Sequence, residues 1–400
     1  MEYVKGKPYF CFCEEKINQY KYLDSDARCD VLIIGGGIDG AILNFYLSQN
    51  FDVMLVDKGR FGMVCTACAT ALLEYQLDDF AGDLRKYMSD DEIVLSYNMG
   101  LDSIKKIENF IKNYGNNCNF AKRPTFLYSN SIFSVQDIED EFKFRIDNGF
   151  NCKLYQSDNN PFPFPIKCGV YAEDGGCEFN PYLFTKMMIE NSSNQSKMFE
   201  NTNVKQLIKA KDCYIAITNY GERIYCKKVI IATGFNWEVL GRSDLCERFV
   251  TYSIVTSPVK NFSWKDKALI HDATSPYHYL RSLPDGRIIF GGEDTIFKEK
   301  PLQEDKCNKK YDKLEKGLFK LFPQIKDRTK IDYKFCGCFG TTSNNLGLIG
   351  ESDIDDGILL FISCGANGIT NAVAGVNVIE DLLTGKQNPL IKIFSPKREV

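Results

Sequence analysis

Hydrophobic residues first gather at Asp30-Val31-Leu32-Ile33-Ile34, an unbroken β-branched run of the kind that a strand buried on both faces requires. The run stops at Gly35-Gly36-Gly37, and Ala41 to Gln49 then reads as a helix. Val53-Met54-Leu55-Val56 is a second buried strand, so this stretch predicts a βαβ unit. Residues 1–29 show no period and read as an irregular lead-in, with residues 1–26 set outside any domain.

Farther along, Ile93, Tyr97, Leu101, Ile104, Ile107 and Ile111 recur at helical spacing over residues 91–114. A stretch of short strands follows, then Pro161-Phe162-Pro163-Phe164-Pro165. Alternate prolines can neither propagate a helix nor join a central strand, which predicts a crossing between domains or a wall of a site. Asn180 as N-cap and Pro181 in the first turn predict a helix from Pro181 to Glu190. Val204 to Thr218 and Glu222 to Ile231 read as strands, 248–293 as strand-rich and 303–322 as helix. Residues 358–363 form another buried strand that enters a final helix, and no internal repeat is visible.

The whole chain has 400 residues, 44% of them hydrophobic and 26% charged, with a net charge of −4. This is the composition of a globular protein long enough for two domains, and it argues against a broad electrostatic grip on nucleic acid. No apolar run is long enough for a membrane-spanning helix, and Met1 to Lys7 lacks the apolar core of a secretory signal. Sixteen cysteines scattered through strands and helices then predict reduced thiols in a cytoplasm.

Gly35-x-Gly37-x-x-Gly40 sits after a strand and opens a helix, as a dinucleotide fingerprint must. The first glycine permits the turn, the second lets backbone approach a pyrophosphate, and the third lets helix pack on strand. The phosphates would meet the positive end of the helix. Asp57 ends the second strand, placed to accept hydrogen bonds from an adenosine ribose. Val229-Ile230-Ile231 leads into Ala232-Thr233-Gly234, a second strand with a small-residue exit. In a third element, Phe361-Ile362-Ser363-Cys364 runs through Gly365-Ala366-Asn367-Gly368-Ile369-Thr370 into a helix of small residues. A helix N-terminus aimed at a flavin ring would stabilise the negative charge of reduction, which favours FAD over NAD.

With these elements in order, residues 30–395 resemble the D-amino-acid oxidase-like FAD oxidoreductases, which include glycine oxidase and sarcosine oxidase. The segment Phe61-Gly62-Met63-Val64-Cys65-Thr66-Ala67-Cys68-Ala69-Thr70-Ala71-Leu72-Leu73 is similar to the family's Thr-Ser-rich turn. Tyr277 to Asp294 and Gly340 to Gly350 add to the likeness, although Asn and Gly replace the Asp and Pro common in the last stretch. The resemblance implies an α/β fold, with a Rossmann-type FAD-binding domain and an antiparallel β-sheet substrate or cap domain. The FAD domain would be discontinuous, from residues 27–85, 166–245 and 335–395, and the cap would come from 86–165 and 246–334.

FAD contacts implied at the first turn are Gly35, Gly37, Ile38, Asp39, Gly40, Asp57 and Lys58. The second turn would add Thr66, Ala67, Thr70 and Leu72, and the middle of the chain Val204, Ala232, Thr233 and Gly234. Gly340, Gly365, Asn367, Gly368, Ile369 and Thr370 would complete the set. The family's chemistry is hydride transfer from a carbon bearing nitrogen to flavin N5, so neither a Ser-His-Asp triad nor a metal is required. An amino-acid substrate needs its carboxylate anchored, and Arg281 follows Tyr277 and Tyr279 on one face of an expected cap strand. Arg281, Tyr279 and His278 are the expected substrate-facing residues, with Arg123 a weaker alternative. Cys65-x-x-Cys68 is read as packing and not as a redox pair, and Cys336 and Cys338 flank the position of a covalent flavin link, where Gly337 stands. Two other functions fit the same fold: a dehydrogenase of a hydroxy substrate resembling glycerol 3-phosphate dehydrogenase, or a flavin-bound subunit of an amine dehydrogenase complex. The electron acceptor and oligomeric state stay open.

Overall fold

The computed structural model describes residues 3–12, 19–242, 245–298, 302–365 and 367–398. From Val31 to Ile34 each side chain is buried, whichever face it points to, because helices cover one side of the strand and a second apolar layer covers the other. That strand, Ala27–Ile34, pairs in parallel with Val53–Val56 and with Arg223–Ile231. Ser196–Phe199 extends one side and Ile358–Ile362 the other, both parallel. Leu348–Glu351 closes the edge antiparallel, and a hairpin of Val204–Lys209 and Tyr214–Thr218 joins at Arg223–Ile231, for eight strands in all. Helices Ile38–Leu47, Pro181–Glu190, Asp90–Tyr114 and Gly368–Thr384 pack together over this sheet.

A second sheet of ten strands stands against the first. It is antiparallel except where Leu269–Asp272 runs parallel to Ala121–Ser129. Helix Glu304–Leu321 covers its far face, where Leu314 and Leu318 pack with Phe290 and Tyr252. Leu72–Glu74, Cys168–Glu178 and Ile331–Thr341 all belong to this sheet, so the expected FAD segments supply strands to both layers.

Several elements differ from the sequence reading. The lead-in carries a strand, Val4–Gly6, which pairs with Ile331–Thr341, and a short helix, Tyr9–Phe12, which packs on the Cys65–Cys68 turn. Three residues have no readable period, and their partner lies far along the chain. Val204 to Thr218 is a hairpin and not one strand. Helix Val135–Asp147 lies where short strands were expected. Its inward face holds Glu141 and Arg145 beside Ile138 and Phe144, and that buried ion pair, at 2.7 Å, conceals the apolar stripe. In the alternate-proline loop, Phe162 and Phe164 are buried against Phe126, Tyr128 and Phe322.

Gly35 turns the chain with φ +113°, a conformation open to glycine. At Gly40 a Cβ would lie 1.8 Å from the Gly35 carbonyl oxygen, so the helix rests directly on the strand exit. Gly40→Ala is expected to push the helix off the sheet and cost about 1–3 kcal/mol. Urea unfolding of the variant against wild type measures this; an unchanged midpoint would mean the contact is looser than described.

Candidate active site

Between the two sheets lies a cavity of about 320 Å³, within the range of small-molecule sites. One end is the glycine turn. Gly36 N donates to Asp57 Oδ2 and Gly59 N to Asp57 Oδ1, each at 2.7 Å, which fixes the carboxylate at the wall. Burial raises the Asp57 carboxyl above its ordinary value, and these two amide bonds oppose the rise. Thr66 Oγ1 accepts from Ile38 N at 3.0 Å, so the Thr-rich turn is pinned to the first helix. Asp39, also on the wall, accepts from Ser363 Oγ at 2.6 Å and Ser363 N at 3.3 Å. Burial pushes its carboxyl up to about 7. This bond ties the first turn to the strand exit at Ile362.

Strand Arg223–Ile231 lies between Ala27–Ile34 and Ile358–Ile362, and its exit and that of Ile358–Ile362 form the next part of the wall. Ala232, Thr233 and Gly234 line it, as do Gly365, Asn367, Gly368 and Ile369 at the N-terminus of Gly368–Thr384. Ala366, quoted in this motif, lies outside the described residues. Asn367 Nδ2 donates to Gln76 O at 2.6 Å, holding the helix start against the segment after Thr70. The second sheet supplies the opposite wall through Thr251, His271, Tyr277, Tyr279 and Cys338. Tyr279 Oη lies 3.1 Å from Thr251 Oγ1, and the Tyr277 hydroxyl donates to Asp294. Burial pulls His271 down to about 4, so the ring is neutral at ordinary pH.

Most of the expected dinucleotide contacts meet on this wall. Gly35, Gly37, Ile38, Asp39, Asp57, Lys58, Thr66, Thr70 and Leu72 line it together with the two later exits. Gly40, Ala67, Val204, Gly340 and Thr370 do not. Gly40 packs beneath the turn, Ala67 is fully buried, and Val204 belongs to the core on the far side of the sheet. The Gly340 carbonyl accepts from Gly365 N at 2.8 Å, and Thr370 Oγ1 donates to Asn367 O at 2.8 Å; both support the wall from behind.

Two expected substrate residues lie off the cavity. Arg281 is 1% exposed and outside the cavity. Its Nε donates to Thr70 O at 2.7 Å, its Nη2 to Phe179 O at 2.8 Å, and its Nη1 lies 3.2 Å from Glu178 Oε2. It shares a face with Tyr279 but extends past the cavity edge into protein. Arg123 is paired with the same Glu178, at 2.8 Å. His278 points to the opposite face of its strand, stacked on Phe290 at 5.0 Å and 3.9 Å from Glu293. The histidine on the wall is His271. Tyr279 is on the wall.

Sequence reasoning missed Tyr3, Arg60, Glu74 and Asp78, all on the wall. Leu72 and Glu74 flank a core residue, so strand alternation was the available signal for Glu74. Desolvation pushes Cys65 up to about 12 and raises Cys68 well above an ordinary thiol, so neither is a thiolate at neutral pH, in keeping with a packing role.

The wall fits FAD on its own evidence. Arg60 Nε and Thr233 Oγ1 are buried on it with no hydrogen-bond partner, which costs free energy unless a bound group completes them. At Gly37 a Cβ would meet just one atom within 4 Å, Thr66 Oγ1 at 3.3 Å, so protein does not occupy the space over that residue.

A parallel sheet with a glycine turn, facing an antiparallel sheet across a shared cavity, defines a dinucleotide-dependent oxidoreductase. Residues 30–380 match the model of the FAD dependent oxidoreductase (DAO) family, and the chain belongs to that family. It is 22% identical over 384 residues to the putative Rieske 2Fe-2S iron-sulfur protein YhfW of Bacillus subtilis (strain 168), covering 94% of this chain and 72% of that protein. It is 21% identical over 394 residues to gamma-glutamylputrescine oxidoreductase of Escherichia coli (strain K12), covering 94% and 88%. In fold it is similar to glycine oxidase from Geobacillus kaustophilus, with a TM-score of 0.78, 17% identity and 94% and 100% of the two chains covered. The protein is thus an FAD-dependent oxidoreductase. Among the described residues no helix is long and apolar enough to cross a membrane.

Two outcomes follow from this geometry. Gly37→Val leaves the apoprotein folded but abolishes FAD retention, because the added methyls enter ligand space; flavin absorbance and circular dichroism together check it, and retained flavin would contradict it. Arg281→Ala leaves Glu178 buried with one partner fewer and destabilises the fold by about 3–5 kcal/mol. Denaturant melting measures that loss, and a KM increase confined to carboxylated substrates would instead return Arg281 to the site.

Proposed function

We propose that the protein oxidises the C–N bond of an amine or amino acid. Held by Gly35 and Gly37 and by the exits at Ala232, Thr233, Gly234, Gly365, Asn367 and Gly368, FAD would supply a hydride acceptor for the carbon next to nitrogen. The chain's own task is to position substrate, exclude water and hold the wall rigid. Tyr279, fixed by Thr251, and Tyr277, fixed by Asp294, supply that rigid wall. Neutral His271 beside Tyr277, with ring centroids 5.3 Å apart, adds no charge that would repel an amine. The relatives' names, an oxidoreductase of gamma-glutamylputrescine and a glycine oxidase, support a nitrogen-bearing substrate.

The observation that carries this reading over a phosphorylated alcohol is the placement of positive charge. Lys58 and Arg60 are the cations among the described lining residues, and both follow Asp57 at the dinucleotide end. A phosphate dianion at the opposite wall would have no cation to pair with, and burying it unpaired is costly. Every described cysteine is a free thiol, which supports placing the protein in a reducing cytoplasm. The electron acceptor is left open by these residues.

Anaerobic mixing of the yellow holoenzyme with amines, amino acids and glycerol 3-phosphate tests the reading. Bleaching of the flavin band by a nitrogen compound is expected. Bleaching by glycerol 3-phosphate alone would overturn it.

A further inference from the structure

Besides Asp39 and Asp57 at the first turn, the acidic groups among the described lining residues are Glu74 and Asp78. Glu74 comes from the strand Leu72–Glu74, whose alternation sets it on the same face as Leu72. It is 7% exposed. Its Oε2 accepts from Gln76 Nε2, while Oε1 has no hydrogen-bond partner among the described residues. Burial pushes the Glu74 carboxyl up to about 8; Arg145 opposes the rise and Asp78 adds to it. Arg145 lies off the cavity, where its Nε donates to Glu141 at 2.7 Å, and its charge offsets part of that burial. Asp78 Oδ1 is 3.4 Å from Asn367 Nδ2, so it is oriented from the helix start.

An ammonium placed against this buried carboxyl would be bonded by the oxygen that Gln76 leaves open and would hold it ionised, whereas a carboxylate there would be repelled. The nitrogen of the bond being oxidised needs its lone pair as the adjacent C–H bond gives up its electrons. A nitrogen that stays protonated against Glu74 is therefore a different one. We propose that Glu74 anchors a second, non-reacting ammonium group, so that the substrate is a diamine or polyamine and not an α-amino acid. This rests on the amine-oxidising reading above. Arg281 and Arg123 are both held by Glu178, and the one arginine among the described lining residues, Arg60, follows Asp57 at the first turn.

The test compares 1,4-diaminobutane, n-butylamine and 4-aminobutanoate, three chains of similar length ending in ammonium, methyl and carboxylate. Holoenzyme is mixed with each, and kcat and KM are read from flavin reduction. The diamine is expected to lead in kcat/KM, with the aminobutanoate last. In Glu74→Gln the diamine-to-butylamine ratio should fall roughly 30-fold or more, mainly through KM, as a desolvated charge loses its partner. Glu74→Asp should keep part of the preference. A common loss of kcat for all three with an unchanged ratio would make Glu74 a proton acceptor for the reacting nitrogen and overturn the anchor. An advantage for the aminobutanoate or for α-amino acids would overturn it while sparing amine oxidation. Reduction by hydroxy substrates alone would overturn both. Should Glu74→Gln not retain FAD, the wild-type ranking and Glu74→Asp decide.

Discussion

The first helix rests on the carbonyl of Gly35, and the cavity exists because nothing larger than hydrogen stands at Gly40. That close approach sets where the helix N-terminus points and leaves the space over Gly37 free of protein. It also brings Asp39 within 2.6 Å of the Ser363 hydroxyl, which joins the first strand exit to the last. Three parallel exits, at Ile34, Ile231 and Ile362, then share one wall, as expected of a ligand site at the carboxyl ends of a parallel sheet. Move the helix outward and each of these distances is lost together.

Charge is sorted along the cavity by what lies behind it. Glu178, buried on the second sheet, draws Arg281 and Arg123 inward and removes both from the ligand surface. Glu141 does the same for Arg145. Among the described residues the remaining lining cations, Lys58 and Arg60, follow Asp57, where a dinucleotide would bring phosphates, while Glu74 and Asp78 add acidic groups to the wall. Buried ion pairs of this kind add little net stability. Here their consequence is the sign of the substrate wall.

The dinucleotide half was legible because each of its requirements is local. Gly35, Gly37, Gly40 and Asp57 are fixed by strand, turn and helix within a single βαβ unit, so their spacing carries the geometry. The substrate half was not, for two reasons of physics. Tyr277, Tyr279 and Arg281 do alternate onto one face, but alternation cannot say where a cavity ends; Arg281 lies beyond it, against Thr70 and Glu178. His271 reaches the wall through a strand pairing with a segment far along the chain, which no local pattern encodes, and the alternation at Leu72 and Glu74 gives a shared face but not the partner strand. Helix Val135–Asp147 escaped notice because a charged pair occupies its buried face. Tyr3 escaped because the strand it precedes, Val4–Gly6, is three residues long and takes its register from Gly337.

The central claim is that this wall holds FAD. Purified protein denatured in acid, with the released chromophore identified by chromatography and mass, tests it most directly. The account predicts a yellow supernatant containing FAD at close to one equivalent per chain. Release of FMN or of NAD without flavin, from protein supplied with all three, would contradict it.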